Sequence, residues 1–173
     1  SQEQNSVASF VYQPVSVNEL IVLRTPDRRR FRIEECLTSN AITVLRAAIC
    51  NFIVGGIIRR LQDKRAGQPL KKFSFLVHTE AKKDAHAWQE TIVFTLKEKL
   101  TDAVTSSPEV LRTLLSDSYR DLACSIEVKN YYLPPLEDVI EEAFAALKSG
   151  WVMITKVNSE QQVEELLDEE LLD

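Results

Sequence analysis

Glycine and proline are scarce, four and six among 173 residues. A β-sandwich or barrel needs turn residues at short intervals, so that class is excluded. Cysteine is scarce as well. Cys36, Cys50 and Cys124 are far apart and odd in number, and no C-x-x-C pair exists. That excludes a zinc site of this spacing and leads us to expect three free, buried thiols in a reducing compartment. The two histidines, His78 and His86, match no metal-ligand spacing, with Glu80 and Asp84 between them. No Gly-rich loop is followed by Lys and Ser or Thr, so a P-loop is absent. The first ten residues contain no apolar leader, and we expect a cytoplasmic location. The longest apolar stretch, residues 41–58, is interrupted by Thr43, Arg46 and Asn51. A membrane span tolerates these poorly, so a buried helix and no membrane contact are expected.

Hydrophobic residues make up 45% and charged residues 27%, which excludes a mostly disordered chain. The length suits one domain with a real core. The net charge is −5, and an acidic total argues against a generic basic nucleic-acid binder. Its distribution changes that reading. Residues 160–173 hold seven acids and no base, and the remainder is slightly basic. Residues 24–32 hold five arginines and one Asp, and residues 59–72 hold six Lys or Arg and one Asp. Either segment suits a phosphate backbone or an acidic partner, against the plainer account of a solvated loop and a helix C-terminus.

The run Leu20 to Leu23 ends at Thr25-Pro26-Asp27 and reads as strand then turn, with Phe31, Ile33 and Glu35 as a hairpin partner. Thr38-Ser39-Asn40 offers N-caps for a long helix reaching Arg65, apolar on nearly every face. Gly55-Gly56 inside it implies close packing or a kink. The run 73–78 reads as a buried strand. Helical spacing follows over 81–104 and from Pro108 onward, then a short strand over 125–128. Residues 131–135 form a linker, residues 136–147 an amphipathic helix with Gly150 at its C′ position, and residues 151–157 a second strong strand. The expected fold is α/β, with helices on a small, mainly parallel sheet and a β-rich extension over residues 1–37.

In open α/β sheets ligands sit beyond the carboxyl ends of the strands. Those ends would be His78, Thr79 and Glu80, and Asn158 and Ser159. They form a candidate phosphate-contact edge, with ordinary helix capping as the competing account. Arg28, Arg29 and Arg30 are the candidate phosphate contacts of the first basic segment. No nucleophile and base pair stands out, and a hydrolase built on His78 and an acid has little support.

Three motifs carry a resemblance. They are Phe52-Ile53-Val54-Gly55-Gly56-Ile57-Ile58-Arg59-Arg60-Leu61, Phe75-Leu76-Val77-His78-Thr79-Glu80, and Trp151-Val152-Met153-Ile154-Thr155-Lys156-Val157-Asn158-Ser159. In this order they resemble the Z-one domain, also called the endonuclease Z domain. It is found attached to superfamily-two helicase-like ATPases of bacterial restriction and phage-defence systems. The resemblance spans residues 38–173. It implies that the strand ending at His78 opens a second RecA-like lobe and that the domain continues beyond Asp173. It implies a parent protein that uses ATP and Mg, with no cofactor held by this segment. DNA, the parent ATPase core and a nuclease subunit are the implied partners. The chain itself carries no P-D-(D/E)-x-K or H-x-K-x4-D nuclease pattern. The expected function is therefore a non-catalytic module coupling an ATPase core to DNA or to a nuclease. A protein-interaction scaffold without nucleic-acid contact is the alternative, motivated by the acidic residues 160–173 with their interleaved leucines.

Overall fold

Ser16 and Glu19 stand three apart at the head of a short apolar run, the spacing of a capping box. The computed structural model, which describes residues 13–71 and 83–152, shows a helix there, α1 (Val17–Arg24). Ser16 Oγ accepts a hydrogen bond from the Glu19 N–H at 3.2 Å. In a capping box the Glu side chain would reach back to the first residue. Here it turns away. The buried Glu19 carboxylate accepts hydrogen bonds from the N–H groups of Val44 (3.1 Å) and Leu45 (2.8 Å). Those are orphan donors at the start of α2 (Thr43–Arg65), whose own N-cap residue, Ile42, has no side-chain acceptor.

An eight-residue helix is marginal alone. The C-terminal carbonyls of α1 are held by the third helix, α3 (Lys83–Ser106). Trp88 Nε1–H donates to the Val22 carbonyl at 2.8 Å, and Gln89 Nε2–H donates to the Leu23 carbonyl at 3.0 Å. Trp88 also meets the buried Phe31 ring edge-on, with centroids 6.4 Å apart. Buried Arg46, one turn into α2, donates to the carbonyls of Cys36 (3.0 Å) and Ser39 (2.6 Å) and so ties down the preceding loop.

Pro108 opens α4 (Pro108–Val128) at a position where its missing N–H costs nothing. The last helix, α5 (Leu136–Lys148), buries Val139, Ile140, Ala143, Ala146 and Leu147, a single stripe at helical spacing. The core forms where this stripe and Leu111 and Leu115 of α4 meet Ile53, Val54 and Ile57 of α2, with Leu96 and Leu100 of α3 closing it. The linker before α5 runs back along α4. Gln62 Nε2 donates to the Tyr132 carbonyl, Tyr119 Oη–H donates to the Pro134 carbonyl at 2.7 Å, and Arg112 pairs with Glu137. This return makes α5 parallel to α4, so their C-termini share one end of the bundle.

Among the described residues there is no strand, which overturns the expected α/β fold with a parallel sheet. Leu20 to Leu23 lies in α1, because the Ser16 cap and the Trp88 and Gln89 side chains satisfy a helical backbone there. The hairpin partner at Phe31, Ile33 and Glu35 is a loop with one 3-10 turn, Ile33–Glu35. The Asp27 carbonyl accepts from both Arg30 N–H and Phe31 N–H, which curls the chain where a strand would extend it. Residues 125–128 continue α4 to its end. Trp151 closes the last turn of α5, and the runs 73–78 and 153–157 lie outside the described residues. Ser39, expected to cap the long helix, caps the separate 3-10 turn Asn40–Ile42 instead.

By length and composition the stretch Asn40–Arg65 is long and apolar enough to cross a membrane. About half its most apolar part, 44%, is buried inside the bundle, and Arg46 sits within it bonded to two carbonyls.

Two outcomes follow for stability. Glu19→Ala removes the side-chain acceptor of the Val44 and Leu45 N–H groups and is expected to cost about 2 kcal/mol, with Glu19→Gln intermediate. Urea unfolding checks this, and an unchanged midpoint for Glu19→Ala would contradict the cap. At Gly55 an added Cβ meets Leu122 Cδ1 at 3.7 Å, an ordinary contact. Gly55→Ala is therefore expected to raise stability by about 0.5–1 kcal/mol, read from the same urea midpoint.

Candidate nucleic-acid interface

The two basic segments meet different fates. In the first, Asp27 accepts from Arg29 N–H (3.0 Å) and Arg29 Nε–H (3.3 Å), and Arg30 lies 3.8 Å from the same carboxylate. Arg28 pairs with Glu34 at 2.9 Å and Arg32 with Glu35 at 3.6 Å. The hydrogen bond from the Arg29 side chain, more than any other contact, holds the Asp27 carboxyl below its ordinary range. Glu34 is lowered first by its own backbone N–H and then by Arg28. Glu34 is exposed, Asp27 is partly buried and the arginines are exposed, so each pair contributes little to stability. Their effect is electrostatic. Arg28, Arg29 and Arg30 are drawn to carboxylates on their own turn. The other proposed site residues, His78, Thr79, Asn158 and Ser159, lie outside the described residues.

The second segment ends α2, and three helix C-termini converge there. Each closes by the same motif, with a left-handed residue after the cap and a six-to-one hydrogen bond. At α2, Gly67 has φ +67° and Gln68 N–H bonds the Asp63 carbonyl at 2.9 Å. At α4, Asn130 has φ +54° and Tyr131 N–H bonds the Ile126 carbonyl at 3.3 Å. At α5, Gly150 has φ +74° and Trp151 N–H bonds the Ala146 carbonyl at 3.0 Å. The motif turns each chain sharply and projects Tyr131 and Trp151 beside the end of α2.

The Arg65 guanidinium lies over the Tyr132 ring, 4.0 Å from its centroid, and Arg60 lies over Trp151 at 5.0 Å. Arg60 also pairs with Glu142 at 3.0 Å. Arg59 pairs with the buried Asp63 at 3.2 Å, whose second carboxylate oxygen has no hydrogen-bond partner. Lys64, Arg65, Lys71 and Lys129 are exposed, and none of them is in an ion pair among the described residues.

Three C-terminal dipole ends sum to roughly −1.5 charges, which accounts for part of this basicity. The cations outnumber that debt and the nearby carboxylates of Asp63, Glu127 and Glu142, so the end remains positive. Tyr131 is 64% exposed, Tyr132 42% and Trp151 36%. Sequence reasoning singled out the basic run but not these rings. The signal was present in Lys129-Asn130-Tyr131-Tyr132, where Asn suits the left-handed position after a helix.

One shallow depression lies between α4 and α5, floored by Ile140 and Phe144 beside Arg112 and Glu137. Another lies between residues 34–38 and the α3–α4 turn, lined by Glu34, Glu35, Lys99 and Asp102. Neither contains a histidine or cysteine. Among the described residues no group of three His, Cys, Asp or Glu side chains is placed to hold a metal ion.

The three thiols are unequal, which corrects the expectation that all are buried. Cys36 and Cys50 are buried and Cys124 is exposed on α4. Burial pushes Cys50 up to about 12, and raises Cys36 too. The chain matches no family model, and no curated protein or solved structure is significantly similar to it.

A thiol-disulfide reagent at pH 8 is expected to label Cys124 alone in the native protein and all three thiols in urea. Since the thiolate is the nucleophile, rapid native labelling of Cys50 would contradict its place in the core.

Proposed function

We propose that this chain is a non-catalytic helical module of a helicase-like ATPase of bacterial DNA restriction or phage defence, and that it contacts DNA through the end of α2. The observation that carries this reading is the cluster of exposed cations at that end, in no ion pair among the described residues, beside exposed aromatic rings. The sequence resemblance supplies the restriction context, since its first motif forms the buried length and basic end of α2. Its other two motifs fall wholly or mostly outside the described residues. ATP and Mg then belong to the parent's core. The nuclease subunit is a further partner, and the location is cytoplasmic.

A second reading, a protein-interaction scaffold, draws support from the outer face of α1. Val17, Leu20 and Ile21 are exposed there, with Val15 beside them. Leu20→Ser with Ile21→Ser would abolish capture of the parent ATPase and leave DNA binding intact if that face serves a protein.

For DNA, Lys64→Glu with Arg65→Glu is expected to weaken binding at least tenfold at low salt. The log–log salt slope should become shallower by about 1.5, two phosphate contacts at roughly 0.7–0.9 each. Reversal of Arg28, Arg29 and Arg30 is expected to change affinity less than threefold, because all three side chains are already engaged by Asp27 or Glu34. Fluorescence anisotropy at two salt concentrations reads both. Binding indifferent to salt, or lost only in the Arg28 to Arg30 variant, would overturn this assignment.

A further inference from the structure

The exposed rings at the end of α2 do something that phosphate contact alone does not require. A duplex backbone is met by cations, and its bases are stacked away from a flat protein ring. A single strand offers free base faces, and aromatic side chains beside a basic groove are the usual platform for them. We infer that the surface formed by Tyr131, Tyr132 and Trp151, with Arg60, Lys64 and Arg65, binds single-stranded nucleic acid in preference to duplex. This deepens the DNA reading above and rests on it.

The geometry supports the preference in three ways. First, Tyr131 follows the left-handed Asn130, in the position where an apolar side chain commonly folds back onto the helix. It stays 64% exposed instead, the most exposed ring among the described residues. Second, Tyr131 and Tyr132 are consecutive in the linker, and the Arg65 guanidinium covers only the second ring. Tyr132 turns toward Arg65 and Tyr131 turns outward, which gives two ring surfaces at different positions along a bound strand. Third, the guanidiniums of Arg65 and Arg60 lie on one face of Tyr132 and Trp151. A guanidinium stacked on a ring keeps its edge N–H groups for phosphate or base-edge acceptors. Lys64 and Lys129, both exposed, adjoin Arg65 and Tyr131 closely in the chain and add charge for the phosphates. Charge complementarity and ring surface point to the same occupant. A purely acidic protein surface would use the cations and leave Tyr131 without a role.

The test uses the full chain with a labelled oligothymidine of about 20 nucleotides, a blunt duplex of equal length, and two salt concentrations. Tyr131→Ala is expected to weaken single-strand binding about tenfold, as loss of one stacked base does, and to change duplex binding less than twofold. Tyr131→Phe keeps the ring and should retain wild-type affinity. Trp151 emission should be quenched by the single strand and not by the duplex. It is read in a Trp88→Phe background after far-UV circular dichroism confirms the helical fold. If the duplex binds as tightly as the single strand, or Tyr131→Ala lowers both equally, the stacking inference is overturned while the phosphate-contact reading stands. If neither binds at low salt, both are overturned.

Discussion

A single carboxylate sets the register of the N-terminal half. Glu19 is buried, lies on an eight-residue helix, and caps a different helix 25 positions later. Burying a charge is costly unless it is fully hydrogen-bonded. The two N–H groups of Val44 and Leu45 meet that requirement, and the positive end of the α2 dipole reinforces it. Because the bond joins α1 to the start of α2, and Trp88 and Gln89 join the other end of α1 to α3, one short helix clamps two long ones. The apolar seam of α2 is buried against α4 and α5 in the position so set.

That position brings three C-termini together. α5 is parallel to α4 because the linker between them returns along α4, through the Tyr119 and Gln62 hydrogen bonds. Helix dipoles disfavour such a convergence, and cations at those ends offset it. Arg60, Lys64, Arg65, Lys129 and Lys148 are placed accordingly. The same requirement that stabilises the bundle thereby creates a positive end, and the capping turns decorate it with rings. The basic turn at residues 24–32 has no such origin and is offset in part by Asp27, Glu34 and Glu35.

The helices from α2 onward were legible because their apolar residues recur at helical spacing, with Pro108 and Gly150 marking a start and a stop. The sheet was not real where the chain is described. Leu20 to Leu23 looks like a strand because short apolar runs fit either element, and what decides is tertiary. Trp88 and Gln89, 66 positions away, complete the helical hydrogen bonding, and no local window contains them. The Ser16 and Glu19 pair was a readable helix-start signal that the apolar run obscured. Residues 125–128 look strand-like in isolation, but they prolong a helix already packed along α2. The basic run of α2 was legible as a candidate from charge alone. Its aromatic half was not, since Tyr131 and Trp151 reach it only through the folding of two separate helix ends. Arg28, Arg29 and Arg30 drew attention by their density, whereas their availability depends on carboxylates whose pairing the sequence does not display.

The central claim is that the end of α2, and not the arginine turn, meets nucleic acid. Ultraviolet cross-linking of the full chain to oligothymidine, followed by peptide mass spectrometry, tests it most directly. The account predicts adducts at Tyr131, Tyr132 or Trp151 that disappear at high salt. Adducts confined to residues 24–35, or none at any salt concentration, would contradict it.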